Sequence, residues 1–231
     1  MIKIEHVETY GWEAAVRGAR NPMNSWHLSD SYWTHIEDAE TQETAKFEYF
    51  LGEKDLTLLK KLSSAGSDHG KFLRMITVTL DITAPLYWWK EADTYAVGVV
   101  KNSCSTMHKI HSAPITSEDF SFDGEAPIED GEDQFYVDEL GAYMTFKDIA
   151  VTMCEDLRAM YVKTGDKKYW RYLIQLLPSS YNQKRTVQLN YQVLKAMYHA
   201  RKAHKLSEWR EFCSWIETLP YAKELIVGEG E

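Results

Sequence analysis

The chain has 231 residues, 44% hydrophobic and 13% aromatic, enough apolar mass for one substantial core and a single domain over 1–231. Its 26 basic and 35 acidic residues leave a net charge of −9, which excludes general nucleic-acid binding and adhesion to anionic membranes but leaves room for one local basic pocket. The three cysteines (Cys104, Cys154, Cys213) are widely spaced and odd in number, so there is no disulfide framework. No apolar run approaches the ~20 residues of a bilayer span and no basic-then-apolar leader opens the chain, so a cytoplasmic protein without membrane contact is expected.

In chain order, Ile2, Ile4 and Val7 alternate with Lys3, Glu5 and Glu8, which predicts a strand over Met1–Tyr10 that breaks at Gly11. Trp12–Arg20 follows as a short helix closed by Asn21-Pro22. Asn24–Asp38 is rich in Trp, Tyr, His and Ser without a period and reads either as an ordered loop reaching a pocket or as an exposed connection. Glu40–Leu62 reads as helix, jointed at Gly52. Ser63–Gly70 is a turn cluster, and Lys71–Thr83 is β-branched and apolar, the best strand in the chain. Ala84-Pro85 opens a helix over Leu86–Ala96 with Trp88, Trp89, Ala92 and Tyr95 on its bulky side.

Between Glu118 and Glu139 the composition turns acidic and Gly/Pro-rich. This predicts a solvated loop insertion near 113–140; the register of a calcium loop is missing, and a lid is the other functional reading. Tyr143–Thr164 has Ile149, Met153, Leu157 and Met160 at helical spacing, and Lys167–Leu176 is a shorter helix ending before Pro178. Tyr181–Gln188 reads as a short strand and Leu189–His204 as a helix burying Leu189, Val193, Leu194, Met197 and Tyr198. Ser207 is placed to cap a last helix to Leu219 that buries Trp209, Phe212 and Ile216. Glu229–Glu231 is read as a frayed tail.

Chemistry-bearing residues are sparse. His108 and His111 with Cys104 fall short of the three or four convergent ligands a zinc site needs, so no metal is expected. Cys104 and His108 have helical i, i+4 spacing for a nucleophile pair, but inert cysteines outnumber reactive ones. Ser105 has no base beside it. Asn190 and Arg201 are eleven residues apart on the late helix and point in roughly the same direction. An amide and a guanidinium so placed suit a base edge and a phosphate; a solvated helix face has the same pattern.

The segment Leu177-Pro178, Tyr181, Asn190-x-Gln192-x-Leu194-x-x-Met197-Tyr198-x-x-Arg201 resembles the C-terminal signature of the flavin-dependent thymidylate synthases. That signature runs Leu-Pro, an aromatic, then Asn-x-Arg-x-Leu-x-x-Phe-Leu-x-x-Arg. Gln192 stands where the family has Arg, and Met197 replaces Phe. The resemblance implies an α+β fold with a central, mostly antiparallel sheet wrapped by helices, and a homotetramer with flavin at subunit interfaces. The implied chemistry is methylation of dUMP to dTMP with methylenetetrahydrofolate, FAD and NADPH. It also implies that Asn190 and His69 contact FAD, and that Arg201 and Ser105 contact the pyrimidine nucleotide. The family's other motif, Arg-His-Arg followed by Asn-Glu-x-Ser-x-Arg-Tyr, is degraded. Its first half falls on Thr94, Tyr95 and Ala96, and the second keeps only Asn102 and Ser105, with Ser103, Met107 and His108 in place of Glu, Arg and Tyr. Glu91 adds a charge that repels phosphate. Losing those groups removes a large electrostatic contribution to catalysis. Two functions therefore stand: a divergent flavin-dependent thymidylate synthase, or a non-catalytic nucleotide-, flavin- or protein-binding relative that keeps the fold and assembly.

Overall fold

The computed structural model describes residues 2–36, 46–122, 134–136 and 143–228. Strand β1 (Lys3–Tyr10) ends where expected, but the alternation does not hold along it, since Val7 is exposed and His6 sits at positive φ; Gly11 then turns the chain at φ +90° into helix α1 (Trp12–Arg20), which buries Trp12, Ala15 and Val16. A side chain at Gly11 would collide with the Met75 carbonyl, so only glycine fits that turn. The connection after Arg20 holds two 3-10 turns and then a strand, β2 (Tyr32–Ile36), paired antiparallel with β3 (Lys46–Phe50). The helix expected from Glu40 is thus corrected: Lys46–Phe50 is strand, and helix α2 (Glu53–Ser64) starts only after Gly52. Phe47, Glu48 and Tyr49 alternate with period 2, and the strongly helical leucines behind them masked that pattern. Residues 37–45, part of the expected helix, lie outside the described residues.

The strand expected from Lys71 is also shorter. Gly70–Arg74 is a 3-10 turn, and β4 runs over Thr77–Pro85. Phe72, Leu73 and Ile76 are all buried, a spacing of one and three that a pleated strand cannot put on one face. From Thr77 the burial alternates strictly, with Val78, Leu80, Ile82 and Ala84 inward. Helix α3 (Leu86–Ala92) stops before Tyr95, where Thr94 Oγ1 donates to the Glu91 carbonyl at 2.7 Å. Strand β5 (Val100–Ser103) and the single-turn helix α4 (Thr106–Lys109) follow.

The solvated-loop reading fails at the front of the acidic stretch. Ile115 and Phe120 are buried, and a capping box between Thr116 and Asp119 folds the 3-10 turn Ser117–Asp119. Residues 123–133 and 137–142, which carry most of that charge and the lid and metal readings, lie outside the described residues. Strands β6 (Gln134–Tyr136) and β7 (Tyr143–Thr145) pair antiparallel, and Thr145 with Asp148 caps α5 (Phe146–Thr164). The α5 face turned inward carries Val151, Cys154 and Leu157; Met160, expected there, is exposed. Helix α6 (Lys167–Leu176), strand β8 (Asn182–Asn190), helix α7 (Tyr191–Arg201) and helix α8 (Ser207–Ile216) complete the order. Ser207 does not cap α8; Leu206 occupies the cap position. Trp209, Phe212 and Ile216 are buried as expected. The tail Glu229–Glu231 lies outside the described residues.

The fold is α+β, with antiparallel pairing and a four-stranded sheet in the order β1-β4-β8-β5. Its packing divides into two compact units: Met1–Lys3, Ile82–Thr94 and Asn102–Thr186, and Ile4–Asp81, Tyr95–Lys101 and Val187–Glu231. In the first, Ile110, Ile115, Phe120, Cys154 and Leu173 form a core. Arg185 lies over the Trp89 ring at 4.2 Å and donates to Asp93 at 2.9 Å, holding the end of α3 to β8.

In the second unit a fully buried carboxylate, Asp55, organises the connection after α1. It accepts from Arg20 Nε, from the hydroxyls of Ser29 (2.7 Å) and Ser31 (2.6 Å), and from the backbone N–H groups of Asp30 and Ser31. Asp30 in turn accepts from the N–H groups of Lys54 and Asp55 at the start of α2. Burial by itself pushes the Asp55 carboxyl up, but the hydroxyl bonds and Arg20 outweigh it and hold the group below the usual carboxylate range. A carboxylate depressed in the folded state stabilises above its unfolded pKa, near 4, and that contribution is lost as pH falls through the folded value. Asp55→Asn should therefore lower urea stability by about 3 kcal/mol at neutral pH, leaving Arg20 buried without its counter-charge. The gap between the variant and the parent should narrow on acidification below about pH 4; equal pH profiles for the two proteins would refute the assignment.

Candidate functional site

The late helix begins and ends on the two residues singled out from the sequence. Leu189 stays in β8 and is buried, so the chain leaves the strand at Asn190, which is the N-cap of α7 in extended geometry. Its side-chain Oδ1 accepts from Val193 N–H at 3.1 Å, and Tyr191 N–H donates to the Ile76 carbonyl at 3.0 Å. These two bonds pin the helix start beside the entry to β4. The Asn190 Nδ2 lies against Gly98: a Cβ added there would sit 3.1 Å from it, on a backbone with φ +76°. Glycine is required there on both counts.

His69 immediately precedes the 3-10 turn Gly70–Arg74, and its side chain is exposed. A Cβ on its neighbour Gly70 would approach Gln192 Oε1 at 3.5 Å, so the turn carrying His69 abuts the first turn of α7. Gln192, where the resembled signature has Arg, thus packs toward that turn. The structure brings His69's turn, Asn190 and Gly98 to the N-terminal end of α7.

Arg201 closes α7, eleven residues and about 16 Å along the axis from Asn190, so the two serve opposite ends of one rod. Its Nε donates to the Tyr95 hydroxyl at 3.1 Å, and its guanidinium carbon lies 5.6 Å from the Tyr95 ring and 4.9 Å from the Trp209 ring. Trp209 is fully buried and is packed in turn by Phe212 and the His204 ring. The guanidinium is therefore a partly buried plane held by two aromatic residues. Tyr95 and Trp209 were missed as site residues. Tyr95 was read as the bulky side of a helix that ends three residues earlier, and Trp209 as core alone. The available signal was the alignment of Tyr95 with the middle of the degraded Arg-His-Arg motif.

The middle of α7 is anchored separately. Lys195 Nζ donates to Ser63 Oγ (2.6 Å) and to the Ser63 carbonyl (2.9 Å), while Ser63 Oγ donates to Leu225 O (2.7 Å). Burial lowers the pKa of Lys195. The Tyr191 hydroxyl donates to Pro220 O and that of Tyr198 to Glu217, both at 2.7 Å; the Glu217 carboxylate and burial push Tyr198 up to about 12. Ser105 belongs to the other compact unit, where it caps α4 by accepting from His108 N–H at 3.3 Å; that local role accounts for it. His108 and Cys104 are exposed there, and among the described residues no group of three His, Cys, Asp or Glu side chains is placed to hold a metal ion.

The donor set at the ends of α7 is thus an amide nitrogen beside a glycine turn, an exposed imidazole close by, and a stacked guanidinium. Such groups can hold a polar ring edge and an anion.

Solved structures share this fold. The flavin-dependent thymidylate synthase ThyX from Helicobacter pylori, complexed with FAD and dUMP, is 15% identical, with a TM-score of 0.63 over 97% of both chains. Another ThyX structure from the same organism, with FAD and dUMP, gives a TM-score of 0.65 at 15% identity over 98% of this chain and 97% of that one. The UMP/dUMP methylase PolB from Streptomyces cacaoi, bound with 5-Br dUMP, is 13% identical, with a TM-score of 0.55 over 98% and 95%. No protein-family model and no curated protein matches the chain.

The cap and any ligand role of Asn190 separate by substitution. Asn190→Ala should cost about 1 kcal/mol of stability, whereas Asn190→Ser, which restores the cap oxygen, should fall within about 0.5 kcal/mol of the parent. Urea unfolding of both variants checks this; equal losses would show that the cap bond is not what stabilises the helix start.

Proposed function

We propose that this chain is a divergent relative of the flavin-dependent thymidylate synthases that binds a flavin and a pyrimidine nucleotide without completing the methylation. One observation carries the reading. Tyr95 and Arg201, which the resemblance assigns to two separate motifs, meet at 3.1 Å within a fold shared over 97% of both chains. Arg201 Nε donates to Tyr95, which sets the guanidinium at the end of α7 as the group the resemblance assigns to the nucleotide. Asn190 commits its oxygen to the helix and keeps its NH2, a donor for a ring carbonyl, next to the close backbone of Gly98.

This donor set fits one flavin ring edge and one phosphate. It lacks the paired guanidiniums the resembled motif supplies, since Thr94, Tyr95 and Ala96 stand in their place. Bound flavin would supply hydride transfer. The chain's own part is to orient: Asn190 and His69 toward the flavin, and Arg201 toward the nucleotide. The missing carboxylate and guanidiniums are what leave methyl transfer without its electrostatic support. A homotetramer and a cytoplasmic location belong to the same proposal.

A second reading, an active methylase using methylenetetrahydrofolate, FAD and NADPH, is favoured by one fact. The PolB methylase has the same fold at 13% identity, so divergence of this size is compatible with methylation in another chain.

Titration with FAD and dUMP together tests both. The purified protein should acquire the flavin absorption bands and bind dUMP by calorimetry. Arg201→Gln should weaken dUMP at least tenfold, as loss of a charged hydrogen-bond pair implies. A colourless protein with unchanged dUMP affinity in the variant would overturn the binding reading. Formation of dTMP on adding methylenetetrahydrofolate and NADPH would replace it with the second.

A further inference from the structure

The second compact unit holds a cleft of about 910 Å³ that no residue of the proposed flavin and nucleotide site lines. It lies between β1, α1, the β2–β3 hairpin and the chain after α8. Its volume is in the range of small-molecule sites, and its walls have two chemical characters. The first is aromatic. Trp33 and Tyr49 meet edge to face with centroids 5.2 Å apart, and Tyr10 and Phe47 also line the cleft. Tyr10, Trp33 and Phe47 are 52%, 54% and 60% exposed, so these rings are not core. The second is acidic. Glu8 and Glu13 line it together with one guanidinium, Arg17, which lies over the Trp26 ring at 6.0 Å.

Rings and carboxylates are joined. Trp33 Nε1 donates to Glu13 at 3.1 Å, and the Tyr10 hydroxyl donates to Glu8 at 2.6 Å. A carboxylate accepting from an indole or phenol makes that ring more electron-rich, which strengthens its face as a partner for a cation. Burial, with Asp55 and Glu13 nearby, raises the Tyr49 phenol and keeps it neutral.

We infer that this cleft is a binding site for a small organic cation carrying apolar substituents, such as a quaternary ammonium or methylated amine. The rings take the alkyl groups and the positive charge by cation–π contact, while Glu8 and Glu13, against the single Arg17, supply net negative charge that a neutral or anionic ligand would not use. Exposed rings this close together are otherwise an aggregation liability, and an organic cation covers them without a protein partner.

Choline and its neutral isostere 3,3-dimethylbutan-1-ol separate charge from shape. In ligand-observed NMR on the full chain, choline should bind saturably in the millimolar range or tighter and the alcohol at least about tenfold more weakly. Trp33→Ala and, separately, Glu13→Gln should each weaken choline about fivefold or more while leaving dUMP binding unchanged. Equal affinity for the two probes, no saturation by choline, or unchanged choline binding in both variants would overturn the inference. So would a change in sedimentation mass on Trp33→Ala, which would make the rings a subunit interface. A folded circular dichroism spectrum for each variant excludes trivial loss.

Discussion

Helix α7 is fixed at each end by a different kind of bond, and the reading of the molecule depends on that double anchorage. At its start a side-chain oxygen satisfies one of the N–H groups that a helix leaves bare, and a neighbouring N–H is tied to the carbonyl before β4. At its end a guanidinium is held by a phenol and an indole. Between them Lys195 reaches α2 through Ser63, and Tyr191 and Tyr198 reach the segment after α8. A rod held at so many points has little freedom to rotate, so the two ends present their polar groups at a fixed spacing. That rigidity keeps Asn190 and Arg201 at one separation along the helix.

How much of this was legible depended on whether local pattern or tertiary contact decided the outcome. Strand β4 was readable from Val78 to Ala84 because burial there alternates strictly, and α8 because Trp209, Phe212 and Ile216 recur at helical spacing. The two wrong elements failed for opposite reasons. Phe72, Leu73 and Ile76 looked like strand by propensity but are buried in and just after a tight turn, since packing rather than propensity placed them. Lys46–Phe50 looked like helix only because a helical leucine run follows it. The cap at Asn190 was not seen as a cap, because the helix was expected to begin at Leu189, two residues before its start at Tyr191.

The candidate site was half legible. Asn190, Arg201 and His69 came from a resemblance in sequence, and the structure sets the turn carrying His69 against the helix Asn190 begins. The partners of Arg201 could not come from spacing: Tyr95 and Trp209 lie 106 and 8 positions away, and only the folded chain makes them neighbours. Gly98 was equally silent, since its need is for space beside an amide. Ser105 illustrates the reverse. A residue retained in an otherwise degraded motif has a complete local explanation as a helix cap.

The guanidinium flanked by Tyr95 and Trp209 has one more consequence. An arginine on an open surface samples many rotamers, and immobilising it on contact with an anion costs about 2 kcal/mol of side-chain entropy. Here the aromatic planes have already frozen that motion while the chain folds. The positive charge at the end of α7 is therefore oriented rather than spread over many side-chain positions.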